Sequence, residues 1–382
     1  MEINIGIDAS RNRSGGAISH LIEILRLLDP YKYNISKIYV WSYRSLLDIL
    51  PDYPWLIKCY TKYLEKSLLH QLFWQRFLLP RIAKKNGCKA ILNTDAGTIL
   101  RFKPAITMSC DMLPFDKDAQ RKYPFGLAKL RIMVLKFISI RSLEYADGVI
   151  FLNDYAAKKI KGYLRRVNSY KIIPHGIGDE FKNLKIRDYG NKKGYYRCLY
   201  ISSFEPYKNH INVIKAINYL RVNGIDVRLR LIGDGKGRFS RSVLKYIHLL
   251  DPKKEFINNI GYVPRYFIPN YIVDADIFIF ASSCENMPNI LLEGMAAGAP
   301  IACSNIRPMP DILKDAGIYF NPDDFESIAE AVRELIISEE KRANLGKRAK
   351  EIANEYSWKK CADDTLKYIT DIIRMNNIRK ES

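Results

Sequence analysis

The sequence predicts two α/β domains in tandem, each built on a parallel β-sheet, and three observations carry that prediction. The chain has 382 residues, which suits two domains of roughly 180 residues better than one. Short, β-rich apolar runs alternate with helix-length amphipathic segments through both halves, the pattern of βαβ units. That periodicity breaks once, over residues 177–196, where the polar stretch 182–194 precedes a new apolar run.

The first domain is expected over residues 1–176, with strands at 3–8, 37–42, 90–93, 105–110, 148–152 and 171–174. Its opening run, MEINIGID, reads as a buried strand because it lacks the basic start and long apolar stretch of a secretion signal. The second domain is expected over 177–356, with strands at 198–202, 227–232, 277–281, 300–304 and 318–320 and helices at 211–222, 290–297 and 327–337. Residues 357–382 begin with Ser357 at a plausible N-cap and continue with apolar residues at helical spacing, which predicts a terminal helix.

Composition narrows the class. With 48% hydrophobic and 27% charged residues the chain is an ordinary globular protein, neither disordered nor of low complexity. Its seven cysteines are scattered and form no C-x-x-C pair, so neither a disulfide framework nor a zinc site is expected, and a reducing, cytoplasmic setting fits. No apolar run approaches the roughly 18 residues that span a bilayer, so a soluble or peripheral protein is expected. The net charge of +20 is uneven: residues 1–185 carry 31 basic and 16 acidic side chains, a net of +15, against +5 for the remainder. The first domain therefore has an anionic partner to find.

In open parallel sheets, ligands bind at the carboxyl ends of the strands, so the loops there are where chemistry is sought. Gly15 and Gly16 precede the first helix, where a phosphate can approach the backbone, although a Gly-Gly pair also reads as a flexible turn. Lys208 follows the first strand of the second domain and suits a departing diphosphate, against the alternative of an ordinary surface lysine. The glycine-rich run at 232–237 lacks dinucleotide-binding spacing and reads as a turn. The segment from Ser282 to Pro300 is the most specific. Glu285 falls in a strand-to-helix loop, Pro288 suits the first turn of the next helix, and Glu293 lies one to two turns inside it, so both carboxylates can accept hydrogen bonds from sugar hydroxyls in one cleft. Backbone amides near Asn286, Met287, Pro288, Asn289 and Ile290 would face a phosphate.

The stretch ADIFIFASSCENMPNILLEGMAAGAPIACSN, with PMPDIL and DAGIYFNPDD after it, closely resembles family 4 glycosyltransferases, the retaining enzymes of the GT-B fold. The resemblance extends to CDMLPF at 110–115, IIPHGI at 172–177, EPYKNH at 205–210, LIGDG at 231–235, NIGYVP at 259–264 and the terminal SWKKCA. It implies two facing Rossmann-like domains, the donor bound by the second, the acceptor by the first, and a C-terminal helix crossing back to the first. It further implies that Glu293 binds the ribose, Glu285 the donor sugar, Asn286 to Asn289 the sugar and phosphate, and Lys208 the diphosphate. Tyr262 and Val263 would lie beside the base, while Gly16 would belong to a loop that closes on the diphosphate. Two departures stand out. Ser202 replaces an arginine common six residues before the lysine, leaving neutralisation to Lys208, helix dipoles or a residue such as Lys236; and Cys110 precedes Asp111 where many members have His-Asp.

Two D-x-D tripeptides, at Asp116 and Asp274, invite a metal reading, but Asp276 leads into a buried strand; no metal and no cofactor are expected. The five histidines show no ligand or triad spacing, and His175 reads as a turn residue. Residues 53–85 and 129–141 mix aromatic and basic side chains at helical spacing, which suits an anionic membrane surface, nucleic acid, or ordinary amphipathic helices whose apolar faces are core; the aromatic residues themselves are expected to be mostly core. Since the excess charge lies on the domain expected to bind the acceptor, a membrane surface fits best and nucleic acid is not expected. Together these readings point to a peripheral enzyme at the inner face of the cytoplasmic membrane. It would move a hexose from GDP-mannose, or another GDP- or UDP-sugar, to a glycan or polyprenyl-diphosphate-linked acceptor in O-antigen, capsule or similar polysaccharide synthesis. The alternative is a non-catalytic basic protein that binds nucleic acid or membrane through a degenerate sugar-nucleotide pocket.

Overall fold

The structure, a computed structural model, describes residues 3–13, 15–185, 194–235 and 237–381. Two compact units emerge. One comprises residues 1–120, 124–176 and 357–382; the other comprises 121–123 and 177–356.

The first unit holds a seven-stranded sheet of β1 (Ile3–Asp8), β2 (Ile35–Ser42), β3 (Leu56–Tyr60), β4 (Cys88–Asn93), β5 (Ala105–Ser109), β6 (Gly148–Phe151) and β7 (Tyr170–Ile172), in the order β3-β2-β1-β4-β5-β6-β7. Every neighbouring pair is parallel, so each connection is a crossover and the sheet is covered on both faces. The register Ile5↔Ile38 and Ile5↔Ala90 sets fully buried side chains on three adjacent strands. β3 falls within the aromatic-basic stretch that spacing had read as helical. It is an edge strand whose side chains are mostly half-buried, so the apolar alternation that marks a strand is weak there.

The second unit holds six parallel strands, β8 (Tyr196–Ile201), β9 (Val227–Ile232), β10 (Ile257–Gly261), β11 (Ile277–Phe280), β12 (Ile301–Ser304) and β13 (Gly317–Phe320), in the order β10-β9-β8-β11-β12-β13. Cys198, Leu229, Ile277, Ile279 and Ala302 from its strands pack with Val213 and Ile217 of the helix His210–Val222 and with Val332 and Leu335 of the helix Phe325–Ile337. β10 was not foreseen: Asn258 and Asn259 are both exposed and interrupt its apolar run, as an edge strand tolerates.

In both sheets the chain starts in the middle, works outward on one side, then returns to work outward on the other. The switch points are therefore β1/β4 and β8/β11, and a doubly wound sheet opens its ligand crevice there. The terminal helix Trp358–Glu381 belongs to the first unit and packs against the helix Gly15–Leu27 and β4. Its Ser357 hydroxyl accepts from Lys360 N at 3.4 Å. A Cβ on Gly176 would stand 1.9 Å from Trp358 N, so only glycine lets the outgoing strand end lie against the incoming helix.

Candidate functional site

At the β8/β11 switch point two loops are sewn together by hydrogen bonds that no periodicity reveals. Asn209 adopts the left-handed conformation at φ 56°, which Asn tolerates better than most residues. There its Nδ2 donates to Ala281 O at 2.8 Å, and its Oδ1 accepts from Lys122 Nζ at 2.8 Å. Ser283 donates twice to Tyr207 O, from its amide at 2.8 Å and its hydroxyl at 3.0 Å, while Tyr200 OH donates to Lys208 O at 2.5 Å. This stitching sets Lys208 Nζ against Glu285 Oε1 as an ion pair, with each side chain 14% exposed.

The residues after Glu285 form a tight lead-in to the helix Asn289–Ala296. Asn286, Met287 and Pro288 are buried. Pro288 caps this helix from just outside it, one position earlier than the first-turn place expected, and its carbonyl accepts from Leu291 N at 3.1 Å. Asn289 and Ile290 then start the helix half-buried, at the positive end of its dipole. One turn further, Glu293 is 4% exposed. A residue not singled out in the sequence meets it: Arg265 Nη1 lies 2.6 Å from Glu293 Oε1, its Nη2 lies 3.6 Å from Glu180, and its guanidinium sits 5.3 Å from the Phe181 ring centroid. Arg265 directly follows the NIGYVP segment that ends β10, in which Tyr262 is largely exposed and Val263 half-buried. Its signal was faint, being one arginine among many just past a strand that was itself missed.

Gly233 and Gly235, of the glycine-rich run, serve this site. Gly233 has φ +123°, and a Cβ there would lie 2.1 Å from Ser202 O; one on Gly235 would lie 2.7 Å from Phe204 Cβ. Ser202 N donates to Ile232 O at 2.8 Å and Phe204 N to Asp234 O at 2.9 Å, so the loop that carries Lys208 leans on bare backbone. Ser202 itself is half-buried and its hydroxyl turns to Ser203 O at 3.3 Å. Lys236 lies outside the described residues. Behind Lys208, His210 is fully buried, with ring centroids 4.8 Å from Tyr200 and 4.6 Å from Phe204. Burial first, then the Lys208 charge, lowers its pKa to about 3, so it stands neutral.

In the first unit the β1/β4 switch point carries another polar network. Gln75 Nε2 donates to Asp8 Oδ2 and to Ser10 Oγ, each at 2.9 Å; Thr94 Oγ1 donates to Asn12 Oδ1 at 2.7 Å; and Arg11 pairs with Asp95 at 2.8 Å. Burial raises the pKa of Asp8. Gly15 opens the first helix at φ +43° with nothing within 4 Å of where a Cβ would be, and Gly16 follows it. Asp111 is exposed, and its Oδ1 accepts from Leu113 N at 2.9 Å. Cys110 Sγ is 3.5 Å from Thr94 O, and burial pushes its thiol well up. His175 is not a plain turn residue: it is buried with its ring centroid 4.7 Å from that of His20 and 5.4 Å from that of Trp358.

The D-x-D aspartates have structural work. Asp116 pairs with Lys159 at 2.5 Å, Asp276 Oδ2 accepts from Arg197 N at 2.7 Å, and Asp274 pairs with both Arg197 and Arg230. Among the described residues no group of three His, Cys, Asp or Glu side chains is placed to hold a metal ion.

Residues 181–352 match the family described as glycosyl transferases group 1. A segment of 169 residues is 28% identical to the O-antigen chain mannosyltransferase B of Escherichia coli and makes up 44% of either chain, so this chain matches less than half the length of that relative. Among solved structures, sucrose-phosphate synthase from Thermosynechococcus elongatus has a TM-score of 0.77 over 98% of this chain and 100% of that chain at 13% identity. HepE of Anabaena, in complex with UDP and glucose, has a TM-score of 0.72 over 97% and 100% at 15% identity. At such identities what is shared is the fold.

Proposed function

We propose that this chain, in which residues 181–352 form a glycosyl transferases group 1 domain within the GT-B architecture of two Rossmann-like units, is a retaining glycosyltransferase acting on a nucleoside-diphosphate hexose. The observation that carries the reading is the Lys208–Glu285 ion pair on the loops of the β8/β11 switch point, with the buried, arginine-held Glu293 in the helix that follows Glu285. Each group has a task there. A diphosphate entering at the positive end of the helix Asn289–Ala296 takes Lys208 from Glu285, and the freed carboxylate accepts from sugar hydroxyls. Lys208 then offsets the charge that grows on the diphosphate as the glycosidic bond breaks. Glu293 accepts from the ribose, and Tyr262 and Val263 flank the base. From the resemblance, Gly15 and Gly16 serve the diphosphate and Asp111 the transferred sugar.

The O-antigen relative supports a mannosyl donor and a growing surface glycan as acceptor, while the UDP-bound neighbour keeps UDP-sugars in contention. The +15 charge of residues 1–185 supports an acceptor held at an anionic membrane surface. No helix among the described residues is long and apolar enough to cross a membrane. The test is a panel of GDP- and UDP-hexoses assayed for hydrolysis and for transfer to lipid-diphosphate glycans. Turnover of one donor, with retained anomeric configuration, is expected; a folded protein that neither binds nor hydrolyses any of them would leave the non-catalytic binding protein as the reading.

A further inference from the structure

The helix Leu127–Tyr145 has apolar side chains on two opposite faces. At 100° per residue, Ile132, Ser139, Ser142 and Leu143 share one side, and all four are buried. Leu127, Leu130, Val134 and Phe137 fall on the opposite side within roughly a quarter of the circumference, and they are 86%, 56%, 49% and 61% exposed. Arg141 continues that stripe. A second helical stretch, residues 68–85, also turns large apolar groups outward: Leu69, Phe73 and Phe77 are exposed while Trp74 is buried. Exposed apolar residues scattered singly need no explanation, but two amphipathic stripes of this size do.

Arginines accompany both stripes, and Arg101 lies between them in sequence. The Arg101 guanidinium stacks 4.3 Å from the Tyr145 ring centroid, Arg141 sits 5.3 Å from Phe137, and Arg76 sits 5.7 Å from Phe77. Burial first, then Arg76 and Arg141, lower the pKa of Arg101, so each of the other two lies within electrostatic reach of Arg101. The nearby carboxylate Asp147 is taken by Lys103 at 2.9 Å. None of the three arginines pairs with a carboxylate among the described residues. Like charges gathered without counter-charge are arranged for an anion from outside.

We propose that these two helical faces form one bilayer-docking surface, in which Leu130, Val134, Phe137, Phe73 and Phe77 enter the acyl boundary while Arg76, Arg101 and Arg141 hold phospholipid phosphate. The inference deepens the membrane-borne acceptor of the proposed function and rests on it. It differs from a purely electrostatic attraction, because apolar insertion resists salt and phosphate pairing does not.

The test uses the full chain with sedimented vesicles of phosphatidylcholine, with and without phosphatidylglycerol, at rising salt. Binding to the anionic vesicles is expected, with a salt-resistant remainder. The triple variant R76Q/R101Q/R141Q should weaken it by about 100-fold, three basic residues being lost, and L130S/V134S/F137S should abolish the salt-resistant part. Inorganic phosphate at millimolar concentration should not compete. Five of the six positions are exposed and Arg101 is half-buried, and circular dichroism checks that each variant folds. Donor hydrolysis, measured without vesicles, should be unchanged in both, so its loss in the parent chain would speak against the donor site and leave docking standing. Vesicle binding equal to the parent in both variants overturns the proposal. So does a dimer of the parent chain that the apolar variant dissolves, since the stripes would then cover a second copy, and so does preferential retention by RNA.

Discussion

Arg265 Nη1 stands 2.6 Å from Glu293 Oε1, a guanidinium one-third exposed holding a carboxylate that is almost wholly buried. A buried carboxylate stripped of its partner keeps its desolvation cost and loses its compensation. Arg265→Ala is therefore expected to destabilise the fold by about 2–3 kcal/mol, between the values for exposed and buried pairs. Glu293→Gln should cost less, and the double variant should recover part of the loss. Denaturant unfolding of the four proteins checks it, and strictly additive effects would show that the pair is not coupled. Both single variants should also weaken donor binding in calorimetry.

Lys208 and Glu285 call for kinetics rather than unfolding, since their partners in the proposed reaction are a leaving diphosphate and a sugar. Lys208→Ala should lower kcat by a factor of about 10²–10³, the loss of one donor at a charged transition state. Glu285→Gln should cut turnover severely with a smaller effect on KM, because it keeps the shape and removes the charge. Near-normal kcat in both would move diphosphate neutralisation elsewhere.

The two-sheet organisation was legible because buried parallel strands are uninterrupted apolar runs, as in IFIF at 277–280 and GVIF at 148–151. β3 and β10 were not, since edge strands keep Lys58, Asn258 and Asn259 in their sequence and lose the signal. Lys208, Glu285 and Glu293 were singled out through neighbours that resemble a family's, and the structure sets Lys208 against Glu285. Arg265 and Asn209 were not, because what matters about them is a contact across loops far apart in sequence. The aromatic set in residues 53–77 was expected to be mostly core, yet only Trp55 and Trp74 are buried, while Tyr60, Phe73 and Phe77 are exposed. In the helix Leu127–Tyr145, with apolar residues on both sides, spacing fixes a helix and not which side faces inward.

Gly233 ties the glycine-rich run to the site. Alanine there meets two penalties, φ +123° and a Cβ 2.1 Å from Ser202 O, so the loop ahead of Lys208 must shift. A cost of about 2–3 kcal/mol in stability is expected, with a fall in kcat. Gly224 gives the contrast: its φ is +83°, but nothing lies within 4 Å of a Cβ, so alanine should pay only backbone strain of about 1 kcal/mol and leave kcat alone. Equal effects at both positions would show that the run does not support the site.

The last prediction concerns acid. His210 is held neutral, its pKa lowered to about 3 by burial and then by Lys208, and His20 is lowered well below the ordinary value by burial and then by His175. In the unfolded chain both take a proton near pH 6.5. Below that value the unfolded state binds more protons than the native state, so stability falls as pH falls, beginning near 6.5 and continuing toward the folded pKa. At pH 5 His210 should cost about 2 kcal/mol, one and a half pH units at about 1.4 kcal/mol each, and His20 adds to the loss in the same direction. The window from pH 6.5 to 5 isolates them from carboxylates such as Asp363 and Asp364, whose pKa values lie below 3.8 and whose contribution is lost only at lower pH. Asp8, raised by burial, acts with the opposite sign. The slope is therefore read as the difference between the parent chain and His210→Gln in thermal unfolding at pH 7.5 and 5. Ring-proton shifts for His20 and His210 that stay flat down to pH 5 would support the account independently of any substitution, and titration of His210 near pH 6 would end it.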